Sequence, residues 1–151
     1  MPLPGRLATV LMPLALLAGC YTSPEPLVTG KNAVFPYQRV VYTGQGNTEQ
    51  HVLVRRGDAY VIESNPEVSV RFAAAGDGYY VAEADGPGQG GVPARLYTVL
   101  KVDAAAMTAE SYLAIALPGA ADRPGFSQCG DDIVCIDSIE AYLAYAKERI
   151  A

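Results

Sequence analysis

The chain contains a single histidine, His51, and it is the first residue whose chemistry could serve catalysis. An imidazole can act as the general base for a serine or cysteine nucleophile. The sequence contains no Gly-x-Ser-x-Gly motif. Alternation places His51 on the same side of a predicted strand as Leu53 and Arg55. This pattern favours an ordinary strand histidine over a catalytic one, which would need an acid such as Glu49 or Glu63.

Two further stretches could bind ions, and each lacks part of the required pattern. Gly86–Gly91 is glycine-rich, but Val92-Pro93 and a predicted strand follow it where a phosphate loop needs Lys-Ser/Thr or a helix N-terminus. Asp131 and Asp132 could hold calcium, but the alternating ligands and terminal glutamate of a calcium loop are missing. We therefore predict an exposed loop at each place, and no metal, cofactor or catalytic site.

Cys20 follows a stretch that is typical of a secretory signal peptide. Arg6 supplies the positive charge, and Leu7–Leu17 is mainly apolar but much shorter than the ~20 residues of a spanning helix. The motif that ends this stretch, Leu17-Ala18-Gly19-Cys20, resembles the lipobox of bacterial prolipoproteins. The motif is specific, and the resemblance does not extend beyond Cys20.

The resemblance implies that residues 1–19 are removed and that Cys20 carries a thioether-linked diacylglycerol and an acylated amine. Each buried methylene contributes about 0.8 kcal/mol, so three acyl chains would make release from a membrane negligible. In this family, aspartate after the cysteine retains the protein at the inner membrane in enteric-type bacteria. Because Tyr21 stands there, the resemblance implies an outer-membrane lipoprotein that faces the periplasm.

Cys129 and Cys135 lie six positions apart in a chain predicted to enter an oxidising compartment, where such pairs usually form disulfides. A zinc site needs about four ligands, and the single histidine is far away in the sequence. A redox pair normally reads Cys-x-x-Cys. We therefore predict a structural disulfide that contributes roughly 2–2.5 kcal/mol on the chain-entropy model.

The charge of the chain excludes one class of partner. Without Arg6, ten Lys and Arg remain against sixteen Asp and Glu, which leaves a net charge of −6. This balance argues against nucleic acid, whose phosphates need a basic surface, and against electrostatic adhesion to anionic lipid. The predicted membrane contact is therefore made by the acyl chains on Cys20.

The remaining residues predict a tether at 20–34, rich in proline and small polar residues, and one β-rich domain at 35–151. Short runs of β-branched and aromatic residues alternate with turn signals such as Gly57-Asp58 and Gly76-Asp77-Gly78. Residues 104–117 fit helix or strand, and we favour strand. The predicted strands are Tyr37–Thr43, Val52–Arg56, Ala59–Ser64, Val68–Ala73, Tyr79–Ala84, Arg95–Val102 and Ser111–Leu117.

A C-terminal helix over 138–150 is predicted from apolar residues at helical spacing, with Asp137 and Glu140 as a capping box. Residues 118–129 are predicted as loop. Alternation within the strands predicts a sheet with one buried and one exposed face. The fold class is therefore mainly β: a single antiparallel β-meander of six or seven strands, open or curled into a partial barrel, capped by one C-terminal α-helix.

The resemblance to a lipobox implies a lipid-anchored lipoprotein of the cell envelope. This predicted location and the lack of a catalytic pattern favour a non-catalytic binding or assembly module for an envelope protein partner. One alternative is a periplasmic carrier of a small apolar ligand, which requires an internal cavity. The other is a small envelope enzyme that uses His51, which requires titratable groups converging on a cleft.

Overall fold

In a computed structural model, the described residues are 20–33, 35–43, 49–88, 93–112 and 116–150. The predicted signal peptide at 1–19 and the predicted turn at 44–47 lie outside them. The described strands and the α-helix, in chain order, are β1 (Cys20–Thr22), β2 (Arg39–Thr43), β3 (Gln50–Arg56), β4 (Ala59–Ile62), β5 (Asn65–Gly76), β6 (Tyr79–Pro87), β7 (Pro93–Asp103), β8 (Thr108–Tyr112), β9 (Phe126–Gly130), β10 (Ile133–Ile136) and α1 (Ile139–Ile150).

Strands β2 to β8 form a seven-stranded antiparallel sheet in which each strand pairs with its neighbour in the sequence. The sheet curls into a half-barrel, and the fold confirms the predicted meander. The β5–β6 turn requires glycine at Gly78, because φ is +80° there and a Cβ would lie 2.8 Å from the carbonyl oxygen of Val102. Between β7 and β8, Met107 has a φ of 58°, so a turn occupies part of the region where helix was the other option.

Strand β6 extends further than the sequence predicted. Gly86 and Pro87, expected in an exposed loop, pair with Ala94 and Pro93 of β7. Gly86 lies so close to β5 that a Cβ at this position would be 3.1 Å from a methyl group of Val68. Glycine here therefore allows two strands to approach closely, whereas the sequence pattern alone indicated a loop.

A second, three-stranded sheet was not predicted. Strand β1 runs parallel to β10, and β10 pairs antiparallel with β9. The expectation of loop at 118–129 is wrong, since these residues contain a 3-10 helix (Ala120–Asp122) and most of β9. Four of the five residues of β9 are exposed, so the strand lacks the apolar alternation by which strands are recognised.

Both faces of the large sheet bury apolar side chains, so the prediction of one exposed face is wrong. On one face, Val81, Tyr97 and Val99 pack under the small sheet and the helix. On the other, Phe72 and Ala82 belong to a second cluster with Phe35. The Phe35 ring stacks on Phe72 at a centroid distance of 4.2 Å. Two separate segments therefore cover the two faces.

Residues 20–33 are part of the fold, unlike the tether expected at 20–34. β1 is hydrogen-bonded into the small sheet, and the side chains of Tyr21 and Val28 are fully buried. The prolines of this segment favour an extended conformation, in which backbone N–H groups donate hydrogen bonds to side chains of the large sheet. We call residues 21–33 the N-terminal strap.

Helix α1 confirms the predicted C-terminal helix, but its cap differs. The N–H of Ala141 donates to Oγ of Ser138 at 3.1 Å, so Ser138 is the capping residue and the expected capping box of Asp137 and Glu140 is wrong. The helix buries Tyr142, whose hydroxyl donates to the carbonyl of Tyr97 at 3.2 Å. This contact fixes the helix against β7.

Candidate functional site

The residue after the predicted lipidation site, Tyr21, is embedded in an aromatic cluster. Its ring centroid lies 5.0 Å from Tyr142, 6.0 Å from Phe126 and 6.5 Å from Tyr145. The backbone N–H of Leu117 donates to the Tyr21 hydroxyl oxygen at 3.3 Å. The pairs with Phe126 and Tyr145 are edge-to-face, and ring pairs of this geometry contribute beyond the area they bury. The chain is thus held firmly one residue after Cys20.

A buried carboxylate on β6 holds the middle of the strap. Oε2 of Glu83 accepts hydrogen bonds from the backbone N–H groups of Leu27, at 2.7 Å, and Val28, at 3.0 Å. It also accepts one from the Tyr97 hydroxyl at 2.5 Å. The Glu83 side chain is fully buried. Such charge-assisted bonds to a carboxylate are stronger than neutral ones, and they offset the cost of burying it.

Neighbouring side chains hold the start of the strap. The hydroxyl oxygens of Ser23 and Tyr97 are 2.7 Å apart. Nη1 of Arg95 donates to the carbonyl of Ser23 at 3.1 Å, and Nε lies 2.8 Å from Oδ1 of Asp85. Burial raises the pKa of the Asp85 carboxyl, although Arg95 opposes the shift. We call Ser23, Glu83, Asp85, Arg95 and Tyr97 the strap clamp.

The chemistry of the strap clamp is recognition of a peptide backbone. Oε2 of Glu83, the hydroxyl groups of Ser23 and Tyr97 and the Arg95 guanidinium group are engaged with backbone groups of the strap or with one another. Oε1 of Glu83 is buried without a hydrogen-bond partner among the described residues. Burial, reinforced by the nearby Glu83 carboxylate, raises the pKa of the Tyr97 hydroxyl, which keeps it a neutral hydrogen-bond donor. Sequence reasoning missed this cluster. The available signal was the acidic Glu83 on the same side of its strand as the apolar Val81.

The burial of Tyr21 predicts a loss of stability at alkaline pH. Burial raises the pKa of its hydroxyl to about 12, above the usual value near 10. The stabilising contribution of the neutral hydroxyl should be complete below pH ~10 and lost as the pH rises toward ~12. Urea unfolding at pH 8, 10 and 11 measures the loss, which should be smaller in Tyr21→Phe. A wild-type free energy of unfolding that does not change between pH 10 and 11 would contradict this interpretation.

His51 lies on β3, opposite Tyr42 of β2, and the two ring centroids are 5.1 Å apart. It shares its side of the sheet with Leu53, which belongs to the cluster around Phe35. Glu63, one of the acids considered as its partner, is exposed after β4. These positions place His51 beside an aromatic ring at the sheet edge.

The surface clefts in the described part of the chain include the following two. The larger, of about 470 Å³, lies between residues 116–122 and the small sheet. The other, of about 330 Å³, lies where Pro24 and Arg95 meet. Both are open to solvent, and His51 lines neither. They differ from the enclosed apolar cavity that a carrier of a small ligand requires.

The Cys129–Cys135 disulfide is present, as predicted, and joins β9 to β10 with their α-carbons 5.7 Å apart. Asp131 and Asp132 form the turn between these strands, and Asp132 adopts a φ of 56°. Within the described ranges, no group of three or more His, Cys, Asp and Glu side chains could hold a metal ion. The two aspartates therefore serve as turn residues.

The outer edge of the large sheet is apolar and exposed. β2 is a terminal strand of the sheet, so one side of its backbone has no sheet partner among the described strands. Val41 and Tyr42 are 44% and 45% exposed, an unusual degree for large apolar side chains next to each other on an edge strand. We call β2, with the adjoining His51, the edge surface.

No protein-family model, curated protein or solved structure matches the chain. In the described residues, no helix has the length and apolar character needed to span a membrane.

Proposed function

We propose that the protein is a lipid-anchored lipoprotein of the bacterial cell envelope, attached to the outer membrane through acyl chains on Cys20 and facing the periplasm. Its domain acts as a non-catalytic binding or assembly module. The observation that carries the proposal is the lipobox motif at 17–20, followed directly by a folded domain. The disulfide supports it, because such bonds persist in an oxidising compartment.

The edge surface supports the binding role. An exposed apolar edge strand can pair with a strand of another protein through its free backbone groups, and alternate side chains then give specificity. Natural proteins usually protect such edges with charge or proline. β2 carries only Arg39 at its start, and its other residues are uncharged. The partner that fits this surface is an extended segment of an envelope protein.

Metabolic labelling with a fatty-acid analogue tests the anchor. Wild-type protein should incorporate the analogue, and Cys20→Ser should not, because the thioether requires the sulfur of residue 20. Lys147→Ser, a matched substitution at an exposed position of α1, should be labelled as the wild type is. Equal labelling of wild type and Cys20→Ser would contradict the proposed attachment.

Cross-linking of the anchored protein in intact cells tests the module. Val41→Lys places a charge in the middle of β2 and should greatly reduce the yield of a discrete cross-linked complex. Met107→Lys is the matched control, because Met107 is 86% exposed in the β7–β8 turn, away from the edge surface. The same yield with both variants would show that β2 is not the binding surface.

A further inference from the structure

We propose that the tip of the β9–β10 hairpin is the part of the domain that rests on the lipid headgroups. The inference depends on the proposed anchor at Cys20 and adds an orientation to it. It follows from the absence of free chain between the anchor and the fold.

The strand register places the hairpin tip beside Cys20. Cys20 pairs with Ile133 of β10, and Ile133 lies opposite Gly130 of β9. Asp131 and Asp132 connect these strands. With strands about 5 Å apart and a rise of ~3.3 Å per residue, the tip lies within ~10 Å of the Cys20 α-carbon. Acyl chains on Cys20 would therefore bring this tip to the membrane surface.

The strap clamp prevents the domain from moving away. Tyr21 is fully buried, and the backbone at Ser23, Leu27 and Val28 is hydrogen-bonded to side chains of β6 and β7. If residues 21–33 were a flexible tether of 13 residues, their root-mean-square length would be about 20 Å. Because residues 21–33 are instead bound to the domain, they do not separate the domain from Cys20.

The charge of the hairpin tip indicates which lipid surface it can approach. Asp131 and Asp132 are exposed and carry negative charge next to the anchor. Anionic headgroups within a Debye length, about 8–10 Å, would repel them. The lipid surface that fits is therefore zwitterionic.

Tryptophan fluorescence provides the test, because the chain has no native tryptophan. Asp131→Trp reports on the tip. Val41→Trp is the control, because Val41 is far from the anchor. Arg95 of β7 holds the start of the strap beside Cys20, and β2 lies five strand spacings from β7, or about 24 Å along the curled sheet.

Each variant, as the chain from residue 20 to 151, is inserted into phosphatidylcholine vesicles whose acyl chains are brominated near the headgroup. Intact mass first records whether Cys20 carries lipid. A chain without lipid is coupled to a maleimide lipid at its Cys20 thiol, the other two cysteines being joined as a disulfide.

Asp131→Trp should be quenched about threefold more than Val41→Trp, because residue 131 lies within ~10 Å of Cys20 whereas β2 lies about 24 Å from β7 along the sheet. Ten Gly-Ser residues inserted between Cys20 and Tyr21 should remove the difference without altering the buried strap. Equal quenching of the two variants on a lipid-bearing chain would overturn the inference and leave the anchor standing. Absence of native lipid would instead overturn the proposed function, and the maleimide-coupled chain would still decide the orientation.

Discussion

Replacing Glu83 by alanine should lower the free energy of unfolding by about 3–5 kcal/mol, the largest effect we expect from a single polar substitution. The substitution removes the acceptor for the N–H groups of Leu27 and Val28 and for the Tyr97 hydroxyl. It also leaves a cavity, since the Glu83 side chain is fully buried. Tyr97 can still bond to Ser23, and the N–H of Leu27 keeps a long hydrogen bond of 3.3 Å to the Tyr97 hydroxyl, but the N–H of Val28 loses its buried acceptor. Urea unfolding of a Cys20→Ser form measures the change.

Glu63→Ala is the matched control for Glu83→Ala. Glu63 is exposed after β4, so its loss should change the free energy of unfolding by no more than about 0.5 kcal/mol. Glu83→Gln should fall between the two, because one amide oxygen still accepts but the charge is gone. If both alanine variants were equally stable, the role assigned to the strap clamp would be wrong.

Tyr21→Ala should destabilise the domain by about 3–5 kcal/mol, as expected for removing a large buried aromatic side chain. Tyr21 contacts three other aromatic rings and accepts a hydrogen bond from Leu117, so the loss removes the contact that joins β1, α1 and the segment after β8. Hydrogen exchange of the Val134 amide measures the local consequence, because β1 pairs with β10 there.

Tyr42→Ala provides the comparison for Tyr21→Ala. Tyr42 is 45% exposed on β2 and contacts His51, so its removal should cost less than about 1 kcal/mol. Unchanged exchange at Val134 in Tyr21→Ala would mean that β1 stays docked without the tyrosine, and that the aromatic cluster does not hold the strap.

The meander was predictable because the residues that determine each hairpin are adjacent in the sequence. Each hairpin combines a turn signal such as Gly57-Asp58 with two adjacent alternating runs, and neighbouring runs become neighbouring strands. The disulfide was predictable from the spacing of Cys129 and Cys135, since the ring they close is short. The helix was predictable from its periodic apolar residues.

The folded strap was not predictable, because the residues that it contacts are distant from it in the sequence. β1 has three residues and pairs with β10, more than 110 positions later, so its burial leaves no periodic pattern. The prolines of residues 21–33 indicate extended chain, and the sequence does not distinguish a free tether from one bound to side chains. Glu83 gave a weak signal, an acid among alanines in a buried strand, whose meaning depends on the strap above it.

The prediction of one exposed face failed for a related reason. Alternation in β5 separates Phe72 from Arg71, but it does not reveal that Ala73 and Val81 lie under the small sheet. Ala73 is small and carries little hydrophobic signal, although Ala33 of the strap forms a β-bridge to it.

The most direct measurement is the intact mass of the protein purified from bacterial envelopes, together with the sequence of its first residues. An anchored lipoprotein predicts a chain that begins at Cys20, with the added mass of a diacylglycerol and an amide-linked acyl group on that residue. A chain that begins elsewhere, or a Cys20 without lipid, would contradict the account.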